Sequence, residues 1–312
     1  MELSAEKTYD AVIVGAGPAG LTAAIYAVRA NLRVLLLDRL APGGNIINTN
    51  EVENYPGAGR LSGADLAIKM FEHTQKLGVE FDYRTVTKVN DGGEWKTVHC
   101  EEDDAVFKTR TVILATGTVA RRLGVPGEDR WAGGGISWCA VCDGPQYRGK
   151  DVVVVGGGNS AVEESLYLAS ICRRVTVVTD LDLTADPKAC ERLRALPNVD
   201  VHIWQQVLAF TGEDRLTGVS FRGAKFDQEE RRVACDGVFE YIGFTASSEA
   251  FAHLGITDRT GCVVADTRMR TAAPGVFGAG DITVKPLRQI VTACSDGALA
   301  ANSAAAYIKE LL

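Results

Sequence analysis

Cys139 and Cys142 stand two residues apart in Cys139-Ala-Val-Cys142, a spacing at which a disulphide opens and closes without large backbone movement. If the pair opens a helix, that position lowers the pKa of one sulphur and makes it a better nucleophile. The pair lies between two glycine-rich turns, Gly15-Ala-Gly17-Pro18-Ala19-Gly20 and Gly156-Gly-Gly158-Asn159-Ser160-Ala161. Each turn follows an apolar run, Ala11 to Val14 and Val152 to Val155, as a dinucleotide fingerprint requires. Thiols between two nucleotide turns suggest an electron relay. The other six cysteines, Cys100, Cys172, Cys190, Cys235, Cys262 and Cys294, are scattered and read as small inert residues.

Positioning such groups takes strands that end at the turns and helices that begin there. After the first turn, Leu21 to Ala30 reads as a helix packed on a sheet, and Val34 to Leu37 as a second strand ending at Asp38, 23 residues after Gly15. The glycines admit backbone N–H groups close to a pyrophosphate, the helix start adds positive potential, and Asp38 can accept from a ribose 2′-hydroxyl. The pattern recurs from Asp151 to Asp180, with helix Ala161 to Ser170 and strand Val175 to Val178. Two further strand ends, Val112 to Gly117 (with Thr116) and Gly275 to Asp281 (with Gly280), carry the small residues that let a flat cofactor lie against backbone.

The predicted fold is therefore α/β, with two Rossmann-like domains, the second inserted into the first. The first is expected over residues 1–117 and 246–312, the second over 118–245, joined by strands near Thr118 and Gly243.

Composition narrows the function. A chain of 312 residues with 46% hydrophobic content and 33 glycines fits two soluble α/β domains. A formal charge of −7 leaves no footprint for nucleic acid. No apolar run reaches membrane-spanning length, the start MELSAEKTYD is too polar for a secretory signal, and a cytoplasmic location is expected. Only His73, His99, His202 and His253 are present, none at ligand spacing, so no metal site is expected.

With Asp143-Gly144 after the thiols, Pro42-Gly43-Gly44, Glu51 to Gly57, Gly278 to Asp281 and Arg288 to Thr292, the chain resembles a low-molecular-weight thioredoxin reductase over nearly its whole length. The resemblance implies a homodimer with FAD in the discontinuous domain and a nicotinamide nucleotide and the redox cysteines in the inserted one. It places Gly15, Gly17, Pro18, Ala19, Gly20, Asp38 and Arg39 at the FAD pyrophosphate and adenosine, with Gly44, Asn45, Thr116 and Gly117 close to the cofactor. Asn54 falls at the isoalloxazine ring, Gly280 and Asp281 on the ribitol side, and Arg288, Gln289 and Ile290 at the pyrimidine end. Gly156, Gly158, Asn159, Ser160 and Ala161 fall at the nicotinamide nucleotide. Cys142 becomes the sulphur at the flavin, Cys139 the attacker of the partner disulphide, and Asp143 the acid and base that protonates the leaving thiolate. The family rotates its inserted domain to bring nucleotide and disulphide to the flavin in turn, and Gly117 and Gly243 are the hinge candidates.

The chain departs from the family in several places. Asn45 replaces a common glutamine. NADPH-using members carry arginines after the second strand of the inserted domain, where this chain reads Thr179-Asp180-Leu181-Asp182-Leu183-Thr184-Ala185. Asp180, 24 residues after Gly156, repels a 2′-phosphate and suits the ribose hydroxyls of NADH. The retained glycine turn favours NADH as donor. A ferredoxin-linked reductase, an FAD-dependent dithiol oxidase and a non-enzymatic flavin-bound sensor are the alternatives. Pro145-Gln146 replace two aromatic residues that help dock thioredoxin, which points to an atypical thioredoxin as partner. Trp138 stands before Cys139 where a tyrosine is common, either against the flavin or in the domain core.

Overall fold

The computed structural model describes residues 8–49, 52–224 and 229–311. The polar start (residues 1–7) and Glu51 of the Glu51 to Gly57 stretch lie outside the described residues.

The chain begins with β1 (Thr8–Val14), α1 (Pro18–Arg29), β2 (Val34–Asp38), α2 (Gly63–Lys76), β3 (Glu80–Tyr83), β4 (Val86–Gly92), β5 (Trp95–Cys100) and β6 (Val106–Leu114). After β7 (Thr118–Ala120) come α3 (Glu128–Trp131), β8 (Ile136–Ser137), α4 (Ala140–Asp143), β9 (Asp151–Val155), α5 (Asn159–Ile171), β10 (Arg174–Val178) and α6 (Pro187–Arg194). Then follow β11 (Val199–His202), β12 (Gln205–Gly212), β13 (Leu216–Gly223), β14 (Arg231–Ala234), β15 (Gly237–Glu240) and β16 (Phe244–Ala246), and finally β17 (Val276–Gly278) and α7 (Ile290–Leu311). Among the described residues one compact unit comprises 8–48, Val52–Val119 and 245–311, and the other comprises Thr49 and Ala120–Phe244. β7 and β16, the two strands at the crossings, pair with each other.

In the first unit the sheet runs β3-β2-β1-β6-β5-β4, with β17 beside β6. β1 is parallel to β2 and to β6, and Ala11, Val12 and Ile13 are wholly buried, as expected of a strand covered on both faces. Where the sequence predicts a helix from Leu21, α1 starts at Pro18 with Gly17 as N-cap, because proline at the first helical position loses no needed N–H. α7 closes on α1 through small residues, Ala19, Ala23, Ala27, Ala300, Ala301 and Ala304. A Cβ on Gly297 of α7 would come within 3.0 Å of the Ala23 backbone nitrogen, so only glycine permits this approach.

The second unit has a five-stranded sheet, β11-β10-β9-β15-β8, and a three-stranded sheet, β12-β13-β14. β15 is parallel to β9 and to β8. Alternation sends its side chains to two cores: Phe239 packs with α5 residues such as Val162 and Leu168, and Val238 with Phe210, Val219 and Phe221. Here too the helix starts earlier than its apolar pattern suggests, at Asn159 rather than Ala161.

Candidate active site

The two thiols sit where β8 turns into α4 and are joined as a disulphide. Cys139 caps the short helix, its sulphur accepting from the Cys142 N–H at 3.2 Å. Ser137 makes the turn with its hydroxyl: the oxygen accepts from the Cys139 N–H at 3.1 Å, and the O–H donates to Asp143 Oδ2 at 2.6 Å. The Ala140 N–H donates to the Tyr241 hydroxyl at 2.6 Å, a contact that reaches across 101 residues of chain. Burial raises the pKa of Asp143, only partly offset by the Ser137 hydrogen bond, and so favours the protonated form an acid needs. Tyr241, almost fully buried, is held as the neutral phenol by desolvation and by the nearby Glu164. Tyr241 escaped the sequence reading because strand pairing, not sequence proximity, brings it to the thiols, and Ser137, only two residues before Cys139, because nothing in the local pattern marks its hydroxyl.

In the first unit the predicted cofactor residues converge at the sheet's carboxyl end. Gly15 takes φ +105° and Gly44 φ +57°, and a Cβ on Gly44 would approach Gly17 Cα to 3.1 Å. The Asp38 carboxylate accepts from the Ala16 N–H at 2.6 Å and the Leu40 N–H at 2.9 Å. Those bonds use about half of a carboxylate's acceptor sites, which leaves room for ribose hydroxyls. Pro18, Ala19 and Gly20 form the first turn of α1, and Arg39 is exposed just past β2. Asn45 donates to the Thr118 carbonyl at 2.9 Å, Thr116 donates to the Ser247 carbonyl at 2.6 Å, and the Gly117 carbonyl accepts from the Ser247 N–H.

In the same unit, Asn54 donates to Gln289 Oε1 at 3.0 Å, Arg288 Nε donates to the Asp281 carbonyl at 3.3 Å, and Ile290 packs near Ile46 and Val52. The Gly280 N–H is taken by Asp296, which also pairs with Lys285. Asp281 Oδ1 is buried without a partner, and burial raises that carboxyl's pKa. An orphaned acceptor beside a glycine-lined approach fits the hydroxyl-rich ribitol chain and pyrophosphate of FAD.

The second turn keeps the same logic. Gly156 adopts φ +129°, and Gly158 caps α5 with open space where its side chain would be, room for a phosphate. Ala161 is fully buried beneath the turn, and Ser160 is exposed. Asn159 Oδ1 accepts from the Asp186 N–H at 2.9 Å, and the Gly157 carbonyl from the Thr184 N–H at 2.8 Å, so the 179–186 segment is tied back to the turn. On it Asp180 is exposed, whereas Thr179 is buried. Asp182 pairs with Arg194 at 2.9 Å, which occupies a neighbouring guanidinium. Among the described residues no group of three or more His, Cys, Asp or Glu side chains is placed to hold a metal ion, and no helix is long and apolar enough to cross a membrane.

Two nucleotide turns and a dithiol in one α/β chain define a pyridine nucleotide–disulphide oxidoreductase, and the profile of the pyridine nucleotide-disulphide oxidoreductase family matches residues 9–297. The chain is 44% identical to a thioredoxin reductase of Bacillus subtilis over 99% of its own length and 98% of that protein. It is likewise 44% identical to a Listeria monocytogenes thioredoxin reductase, over 99% of this chain and 96% of that one. Among solved structures, a Streptococcus pyogenes thioredoxin reductase superposes with a TM-score of 0.91 at 42% identity, covering 98% of this chain and 100% of the other. The chain belongs to the low-molecular-weight thioredoxin reductases of bacterial type, flavoprotein thioredoxin-disulphide reductases for which FAD is the expected cofactor.

Proposed function

We propose that the enzyme draws electrons from NADH and passes them through the Cys139–Cys142 disulphide to a dedicated, atypical thioredoxin, working as a cytoplasmic homodimer. The observation that carries the dithiol step is the geometry around it: Cys139 caps α4, and Asp143 lies one residue beyond Cys142 with a carboxyl biased toward its protonated form. FAD, held by the Gly15 to Gly20 turn, Asp38 and Asp281, would supply the two-electron step between nicotinamide and disulphide.

With the pair reduced, the Cys139 thiolate attacks one sulphur of the partner disulphide, and the partner's other sulphur leaves as a thiolate that Asp143 protonates. The Cys142 thiolate then attacks Cys139 Sγ. That re-forms the Cys139–Cys142 disulphide and releases the second partner thiolate, so two electrons have moved to the partner. Ser137 keeps Asp143 aimed at the pair, and Tyr241 fixes the first turn of α4.

The donor assignment is supported by the 179–186 segment. Asp180 is exposed on it, Asp182 neutralises Arg194, and no arginine stands between 179 and 185 to grip a 2′-phosphate. Placing a phosphate of nearly two negative charges beside that carboxylate costs affinity, about tenfold for each 1.4 kcal/mol. Anaerobic stopped-flow mixing with NADH, NADPH or reduced ferredoxin, followed by flavin absorbance, tests this. NADH should bleach the flavin at least about tenfold faster than NADPH at equal sub-saturating concentration. Asp180→Arg should narrow the gap, whereas arginine at buried Thr179 would disturb the glycine turn instead. Negligible bleaching by both nucleotides would pass the role to ferredoxin or, if a dithiol then drives oxygen uptake, to a dithiol oxidase.

A further inference from the structure

Glu240, the last residue of β15, and Tyr241, just after it, point to opposite faces of the sheet and hold the redox segment from both sides. Tyr241 takes the Ala140 N–H from the α5 side. On the other side, the parallel pairing of Val238 with Ile136 and Phe239 with Ser137 sets Trp138 next in register to Glu240. The Trp138 indole N–H donates to Glu240 Oε2 at 3.0 Å, and the Arg122 guanidinium lies 4.4 Å over the indole ring.

Glu240 is 1% exposed and lies close enough to the Glu128 carboxyl, itself 2% exposed, for that charge to raise its pKa. Glu128 already accepts from the Leu123 N–H at 3.0 Å and the Gly124 N–H at 2.6 Å. Glu240 Oε1 is buried without a partner, and burial together with the neighbouring Glu128 charge favours its protonated form. The charged groups facing Glu240 are Glu128, the first residue of α3, and Arg122, which precedes α3. β9 sets Val155 in register beside it, β13 packs Leu216 and Phe221 on the same side, and β8 contributes Ile136.

We propose that Glu240 is a positioning residue of the dithiol centre: by holding the Trp138 indole it fixes the backbone from which Cys139 enters α4, and the neighbouring Glu128 makes that hold sensitive to its ionisation. The inference rests on Cys139 being the sulphur that meets the partner disulphide. Burial first, then the charge of Glu128, raise Glu240 to about 8. Above that pH two buried carboxylates face each other, Arg122 offsets them only in part, and the grip on Trp138 shifts.

Tryptophan fluorescence of the oxidised holoenzyme, in which the two site sulphurs do not titrate, should show a transition centred near 8. It should be missing in Trp138→Phe and Glu240→Gln and should move to lower pH in Glu128→Gln, a variant that leaves Glu240 in place. Glu240→Leu should slow thioredoxin reduction several-fold without loss of FAD, and Glu240→Gln, whose amide can accept from the indole, should restore it. In the parent the rate relative to Glu240→Gln should fall as pH passes the fluorescence transition. A transition that persists in Glu240→Gln, or a Glu240→Leu enzyme as fast as the parent, overturns the inference alone. A parent holoenzyme that reduces no thioredoxin at any pH removes the underlying reading as well.

Discussion

Asp143 shows how much chemistry one adjacent residue can carry. It follows Cys142 directly, so its place beside the thiols was legible in the sequence, but its proton affinity was not, because that depends on burial and on Ser137. Burial raises its pKa, and the Ser137 hydrogen bond, which favours the charged form, works against that rise. Ser137→Ala should therefore lift the pKa further and move the alkaline limit of acid catalysis by Asp143 to higher pH. Asp143→Asn should abolish that limb and slow thioredoxin reduction by about 10²- to 10⁴-fold, while reduction of the flavin by nucleotide is kept. A pH profile of kcat, with flavin bleaching measured separately, checks both. Unchanged profiles in the two variants would transfer the proton role to another group.

At the scale of elements, the parts governed by local pattern were readable: the apolar strands before each glycine turn, the helices after them, and the α/β fold class they build. Helix starts were set too late, since Gly17-Pro18 and Gly158-Asn159 resemble turns until the N-cap is seen. What β15 does was hidden. An acid after Gly237-Val-Phe gives no local sign that it will meet Glu128 and Trp138, which come from α3 and from the end of β8. Its burial has a consequence for stability. Because Glu240 in the fold holds its proton up to about 8, well above an ordinary carboxyl, the folded chain binds a proton that the unfolded chain has lost. This contribution is fully present below the ordinary glutamate range and is lost progressively as pH rises through about 8. Urea unfolding should accordingly show Glu240→Gln gaining on the parent as pH rises from mildly acidic to alkaline, by a few kcal/mol in total. A constant difference between the two proteins across that range would mean that Glu240 is ionised in the fold throughout.

At the scale of the whole molecule, turnover under the proposed function asks one chain to serve a nucleotide and a protein disulphide in succession. The chain passes between its two units through β7 and β16, and a glycine precedes each strand: Gly117 at φ +67° and Gly243 at φ +108°. A side chain is strained at either angle, by about 1 kcal/mol or more in the left-handed region. The two positions separate conformation from crowding. A Cβ on Gly117 would meet nothing within 4 Å, and one on Gly243 would touch Arg121 Cδ at 3.4 Å, an ordinary contact. Alanine at either site therefore acts almost entirely through backbone preference. If these residues absorb the dihedral change of a domain rotation, the strain differs between the two working states, and each 1.4 kcal/mol of difference shifts their ratio about tenfold. Gly117→Ala and Gly243→Ala should then change the rate of flavin reduction by nucleotide and the rate of thioredoxin reduction in opposite directions, with FAD content unaltered. Single-turnover measurements of the two half-reactions decide it: parallel losses in both would mark the glycines as structural turns rather than hinges.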